Sequence, residues 1–150
     1  MINIALYQPD IPQNTAAIIR LSACFNIKVH IIEPCSFNLG DSRFRRVAMD
    51  YAKLVKISKY ESFNIFKKRN SDSRIILMTT KAKRSYHRFK FRKNDILLFG
   101  RESAGVPEVL HSKIKDKLKV PINKKTRSLN VAMTVAIVAS EALRQNNFFK

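Results

Sequence analysis

DILLFGRESAGVP, residues 95–107, is the stretch on which the reading of this 150-residue chain turns. Ile96-Leu97-Leu98-Phe99 is a short apolar run of the kind that makes a fully buried strand. It stops at Gly100; Gly105 follows, and Pro107 closes the stretch. The chain has 3 glycines in all, so two of them in one short loop suggest a loop shaped to hold something. Between them stand Arg101, Glu102 and Ser103, polar and charged where a strand has just ended. A loop at the carboxyl end of a buried strand is the usual ligand position in open α/β sheets. A plain strand-to-helix turn, with Glu102 near a helix start, is the other reading of the same residues.

Outward from this stretch, strands alternate with helices. Residues 2–7 read as a strand stopped by Pro9 and Pro12, and Asn14 as the N-cap of a helix. Ala17, Ile18, Leu21, Cys24 and Phe25 then recur at helical spacing as one apolar face, with Arg20 on its flank. Residues 28–32 form a second strand. Residues 43–53 read as a basic helix carrying Arg43, Arg45 and Arg46, followed by an extended piece at 54–57 and a helix over 60–69. Residues 74–79, RIILMT, lack alternation and read as a strand buried on both faces. Downstream of the glycine loop come a short helix at 108–111, a strand at 118–120 and a last helix over 128–146. The apolar stretch 131–139 in that helix predicts burial on several sides. The pattern predicts a parallel α/β sheet in one domain spanning residues 1–150, with no extra RNA-binding domain.

Charge narrows the partner. Lys and Arg number 29 against 11 Asp and Glu, a net +18, which points to a polyanion and most economically to nucleic acid. Residues 81–93 hold Lys81, Lys83, Arg84 and Arg88 with Tyr86, Phe89 and Phe91 interleaved. That mixture suits a flexible strip that grips phosphates and stacks bases, and equally a solvated loop. Cys24 and Cys35 sit beside apolar sequence and are expected to be buried thiols in a reducing compartment. His30, His87 and His111 show no metal-ligand spacing, so no metal is expected. With no signal-peptide pattern and no apolar run of membrane-spanning length, the expectation is a soluble cytoplasmic protein. No G-x-G-x-x-G follows the first strand and no Walker lysine is present, which argues against a dinucleotide enzyme or a P-loop ATPase.

Three loops bring polar side chains to helix starts, where free N–H groups point outward. They hold Gln13, Asn14 and Arg20; residues 100–105; and Arg127, Ser128 and Asn130. Together with NIALYQPDIPQNTAAIIR, HIIEP, LLFGRESAGVP and VPINKKTRSLNVAMTVAIVASEALRQ, they resemble the SpoU–TrmD (SPOUT) class of RNA methyltransferases. The similarity is closest to the small tRNA (cytidine/uridine-34) 2′-O-methyltransferases and spans the chain in order. It implies a mainly parallel sheet flanked by helices with a carboxyl-terminal deep trefoil knot, S-adenosylmethionine as cofactor, and a homodimer pairing through the first and last helices. The implied substrate is the wobble nucleotide of tRNA, with leucine isoacceptors as the expected targets. A related enzyme acting on another tRNA or rRNA position, or a non-catalytic RNA-binding module on the same fold, is the alternative.

Carried over by motif, the cofactor would meet Met78, Thr79, Gly100, Gly105, Val120, Ile122, Ser128 and Leu129. Asn14, Arg20, Glu102 and Asn130 would serve catalysis. Arg43, Arg45, Arg46, Lys81, Lys83, Arg84 and Arg88 are the candidates for RNA phosphate contacts. The chain departs from the common pattern at Thr15-Ala16-Ala17, Met133 and Ser140, where many relatives carry a glycine-containing turn, Asn and Tyr.

Overall fold

In the computed structural model, which describes residues 1–149 apart from the side chains of Arg43, Arg45, Val47 and Met49, strands of all three predicted regions join one sheet. Its seven strands are β1 (Asn3–Tyr7), β2 (Lys28–Ile32), β3 (Ile57–Tyr60), β4 (Ile75–Met78), β5 (Arg84–Ser85), β6 (Ile96–Phe99) and β7 (Asp116–Lys119). They lie in the order β3-β2-β1-β6-β4-β7-β5, and every pairing is parallel. β6, the ILLF run, is buried at every position between β1 and β4. Burial on both faces is why its sequence shows no alternation. The register sets Leu6, Phe99, Met78 and Leu118 side by side, so β1, β6, β4 and β7 end level and their loops leave from one edge.

Helices cover both faces. α1 (Pro12–Cys24), α2 (Ser42–Ala48) and α5 (Val131–Gln145) share one; α3 (Phe63–Arg69) and α4 (Glu108–Lys113) share the other. Ile4 and Leu6 of β1 pack with Ile18 of α1 and Val135 and Val138 of α5, while Ala5 packs with Phe66 and Leu110 on the opposite side. Alternate residues of a strand point to opposite faces, so one short strand serves two cores. At the amino-terminal edge, the Asp95 carboxylate accepts from Arg74 Nε and Nη2 at 2.9 and 2.7 Å and from the Arg92 amide at 2.7 Å.

Several expectations are corrected. Asn14 does not cap α1: Ile11 does, with extended backbone, and Pro12 takes the first helical position, where a missing N–H is no loss. Asn14 lies buried within the first turn. The buried face of α1 runs through Thr15, Ile18, Ile19 and Ser22, leaving Ala17 and Cys24 exposed. Apolar periodicity chose a rotated face because two hydroxyl residues belong to the core. Cys24 is therefore an exposed thiol and Cys35 half-buried, not the buried pair expected.

Residues 81–93 are not a flexible stacking strip either. They hold β5 and a 3-10 turn (Tyr86–Arg88), and Phe89 and Phe91 are both 4% exposed and pack edge to face at 5.2 Å. Rings committed to the core cannot stack bases. The basic helix splits into α2 and a 3-10 segment, Met49–Lys53. β3 begins where the expected extended piece ends, and α3 starts at Phe63 because the Ser62 hydroxyl accepts the Ile65 amide at 3.3 Å. No helix among the described residues is long and apolar enough to cross a membrane.

Candidate active site

The glycine loop closes on itself. Arg101 and Gly105 exchange backbone hydrogen bonds at 3.1 and 2.8 Å, leaving residues 102–104 as the loop tip. Gly105 holds the left-handed conformation, φ +67°, that such a three-residue loop requires after its turn. The tip is Glu102, not the helix start of the alternative reading; α4 begins only at Glu108.

Asp10, at the end of the β1 loop, holds the tip in place. Its carboxylate accepts from the Glu102 amide at 3.0 Å, the Ser103 amide at 3.3 Å and the Ser103 hydroxyl. In return the Asp10 amide donates to Glu102 Oε2 at 3.0 Å. Two carboxyls so close separate in acidity. Hydrogen bonding from Glu102 and then Ser103 brings Asp10 down to about 2, whereas burial and then the Asp10 neighbour push Glu102 upward.

A second chain of hydrogen bonds reaches Glu102 from the far end of the sequence. Asn130 caps α5, its Oδ1 accepting the Ala132 and Met133 amides at 2.8 and 3.3 Å. That fixes the amide's orientation, so its Nδ2 donates to Asn14 Oδ1 at 2.8 Å. Asn14 Nδ2 in turn donates to Glu102 Oε1 at 3.1 Å. The cap thereby dictates the orientation of both amides and aims two donors, one after the other, at one carboxyl.

This relay borders a cleft of about 580 Å³ at the carboxyl ends of β4, β6 and β7, within the size range of small-molecule sites. Met78, Thr79, Gly100, Gly105, Val120, Ile122, Ser128 and Leu129 all line it, as do Asn14, Glu102 and Asn130. Arg20 is not among the lining residues: it is exposed on α1, its guanidinium 5.0 Å from the centre of the Tyr51 ring. The phosphate candidates Arg46, Lys81, Lys83, Arg84 and Arg88 are exposed, while the side chains of Arg43 and Arg45 lie outside the described residues. Arg84 is engaged, lying over Phe89 at 4.7 Å and donating to the Arg88 carbonyl at 2.8 Å.

Sequence reasoning missed Asp10, whose partners lie 92 and 93 residues away and leave no local pattern. Arg101 and Arg127 also border the cleft; Arg127 belongs to the R-S-L-N block and was legible there as a loop residue. Among the described residues, no group of three or more His, Cys, Asp or Glu side chains is placed to hold a metal.

Comparison with known proteins bears on this arrangement directly. The SpoU rRNA Methylase family pattern matches residues 1–140. The chain belongs to that family. Within the SpoU methylases, a protein of Beijerinckia indica named tRNA (cytidine(34)-2′-O)-methyltransferase is 47% identical over 144 residues, 95% of this chain and 90% of the relative. A solved structure concerned with 2-OH methylation of C/U34 on tRNA superposes with a TM-score of 0.93 at 34% identity, covering 98% of this chain and 97% of the other. At 18% identity the shared fold extends to a SpoU methyltransferase of Streptomyces viridochromogenes in complex with AdoMet, TM-score 0.84, over 96% of this chain and 60% of that one.

Proposed function

We propose that this SpoU methylase transfers a methyl group from S-adenosylmethionine to the ribose 2′-hydroxyl of cytidine or uridine 34 in tRNA, leucine isoacceptors among them. The observation that carries the reading is the convergence of Asn14, Glu102 and Asn130 at the cleft that the eight cofactor candidates line. The names of relatives that match nearly end to end support the substrate. The cleft suits the cofactor: Leu77, Met78, Phe99, Val106 and Ile122 offer apolar wall to an adenosine, and Glu102 offers a carboxyl to a sulfonium.

The cofactor supplies an already reactive methyl, so the protein's task is alignment and proton removal. Glu102 is the carboxyl at the cleft whose acidity is weakened, and it accepts the hydrogen of the 2′-hydroxyl. Asn14, oriented through Asn130, holds that carboxyl in place, and Asp10 holds the loop that carries it. Arg127 and Arg101, at the same rim, offer cationic partners to the neighbouring phosphates.

The same reading includes a homodimer and a knot. Ile11, Leu129, Met133 and Ile137 are large apolar side chains 36–56% exposed on α1, α5 and the loops that precede them, where a second copy would cover them. Arg20 lies on the exposed face of α1, so pairing through that face would set it against the second copy and not its own cleft. The trefoil knot is supported by the adjacency of β6, β4 and β7 and the convergence of their following loops on one cavity. A cytoplasmic setting follows from a tRNA substrate.

Purified protein, S-adenosylmethionine and unmodified tRNA transcripts, followed by nuclease mapping and mass spectrometry of nucleosides, test the proposal. A 2′-O-methylated pyrimidine at position 34 is expected. Methylation of another position, or none, overturns it.

A further inference from the structure

A second cavity, about 490 Å³, lies on the other side of the Asp10 segment from the cofactor cleft. Gln13, Ser36, Phe37, Asn38, Asp41 and Phe44 line it. The wall between the two is a single stretch of chain. Ile11 and Asn14 face the large cleft, whereas Pro12 and Gln13, within the same helical turn, face the small one. Asp10 joins them: its carboxylate holds the Glu102 loop on one side, and its carbonyl accepts the Ser36 hydroxyl at 2.8 Å on the other.

The lining suits a flat heteroaromatic ring. Phe37, half-buried, stacks on the buried Phe44 with ring centres 5.5 Å apart and planes 27° from parallel, which makes an aromatic platform backed by core. Asn38 Oδ1 accepts the Gly40 amide at 2.8 Å, which turns the amide's Nδ2 donors away from that turn. Gln13 is exposed and carries both a donor and an acceptor on a rotatable amide. Asp41 adds a carboxylate to the lining. A pyrimidine presents donors and acceptors along one edge, and enzymes acting on a single nucleotide read that edge after drawing the base out of its stack.

We infer that this second cavity holds the base of the nucleotide whose ribose is methylated. The inference rests on the proposed function: a ribose is joined directly to its base, so a 2′-hydroxyl at Glu102 leaves the base one wall away from the cofactor. Asn38 and Asp41 then serve the fixed donor and acceptor positions of the pyrimidine edge. Gln13, by turning its amide, meets the group that differs between cytosine and uracil. That accounts for a site tolerant of both.

The test uses anticodon stem-loop RNA carrying at position 34 either cytidine or an abasic ribose that keeps its 2′-hydroxyl. Single-turnover rates with saturating S-adenosylmethionine are compared for wild type, Phe37→Ala and Gln13→Ala, with cofactor affinity measured by calorimetry on each. Wild type is expected to prefer cytidine over the abasic ribose by about tenfold or more, as for loss of one base–aromatic stack. Phe37→Ala and Gln13→Ala are each expected to shrink that ratio while cofactor affinity stays within about twofold. Because Phe37 packs against the core and its removal risks unfolding, the exposed Gln13 provides an independent reading. Equal rates on both RNAs in wild type, or an undiminished ratio in the folded variants, overturn the inference alone. Failure of wild type to methylate position 34 in either RNA or in whole tRNA overturns the proposed function, and the inference with it.

Discussion

A Cβ built on Gly100 would stand 2.5 Å from the Gly105 carbonyl carbon, 2.6 Å from its Cα and 2.8 Å from the Val106 nitrogen. All three are backbone atoms of a loop closed by its own hydrogen bonds, so none can step aside. The glycine at 100 is required by the loop itself, not by room for a ligand. Gly105 differs: a Cβ there meets nothing within 4 Å, and only its positive φ disfavours a side chain. Gly105→Ala should therefore cost about 1–2 kcal/mol of stability and leave cofactor binding measurable. Gly100→Ala should open the loop, cost about 1–3 kcal/mol or more, and abolish cofactor binding. Calorimetric titration with S-adenosylmethionine beside thermal unfolding of both variants separates the two; wild-type affinity in Gly100→Ala would sink the argument.

At the level of elements, β2 and β3 are joined by a buried imidazole. His30 is 1% exposed; its Nδ1 lies 2.9 Å from the Tyr60 hydroxyl, and its ring packs on Tyr60 and the edge of Phe66 from α3. Burial, and then the nearby Lys28, lower its pKa to about 4. The folded protein thus resists a proton that the unfolded chain accepts near the ordinary histidine value of about 6.5. Stability contributed by neutral His30 is intact above that value, declines as pH falls from about 6.5 to 4, and is level below. The loss is at most about 3 kcal/mol. His30→Gln should be less stable than wild type at pH 7.5, and the gap should narrow by pH 4.5. Denaturant unfolding at the two pH values checks this, and a constant gap would exclude His30 as the source.

For the whole molecule, the exposed apolar face is the feature that a single copy does not use. A stable pair needs an interface of at least about 1,000 Å². Ile137, on the exposed side of α5 and 36% accessible, is a test position whose substitution leaves the inner face of the helix untouched. Light scattering at micromolar concentration should find a dimer for the wild type and a monomer for Ile137→Glu, with the variant still folded by circular dichroism. A monomeric wild type would remove the second copy from the proposed site and with it the role suggested for the face that carries Arg20.

What the sequence by itself determined was order and type. The ILLF run, the RIILMT run and the two-glycine loop follow from local composition, and they were enough to establish a parallel sheet with its ligand loops at one edge. The eight cofactor candidates, located through the family resemblance, line one cleft because strands of matched register deliver their loops together. Tertiary structure alone decided which face of α1 is buried, that Phe89 and Phe91 are core, and that Arg20 stands outside its own chain's cleft. It alone decided the relay from Asn130 through Asn14 to Glu102, whose links span 116 and 88 residues of sequence. Periodicity reports what neighbours along the chain do, whereas these outcomes depend on which distant backbone presents the complementary donor, acceptor or apolar wall.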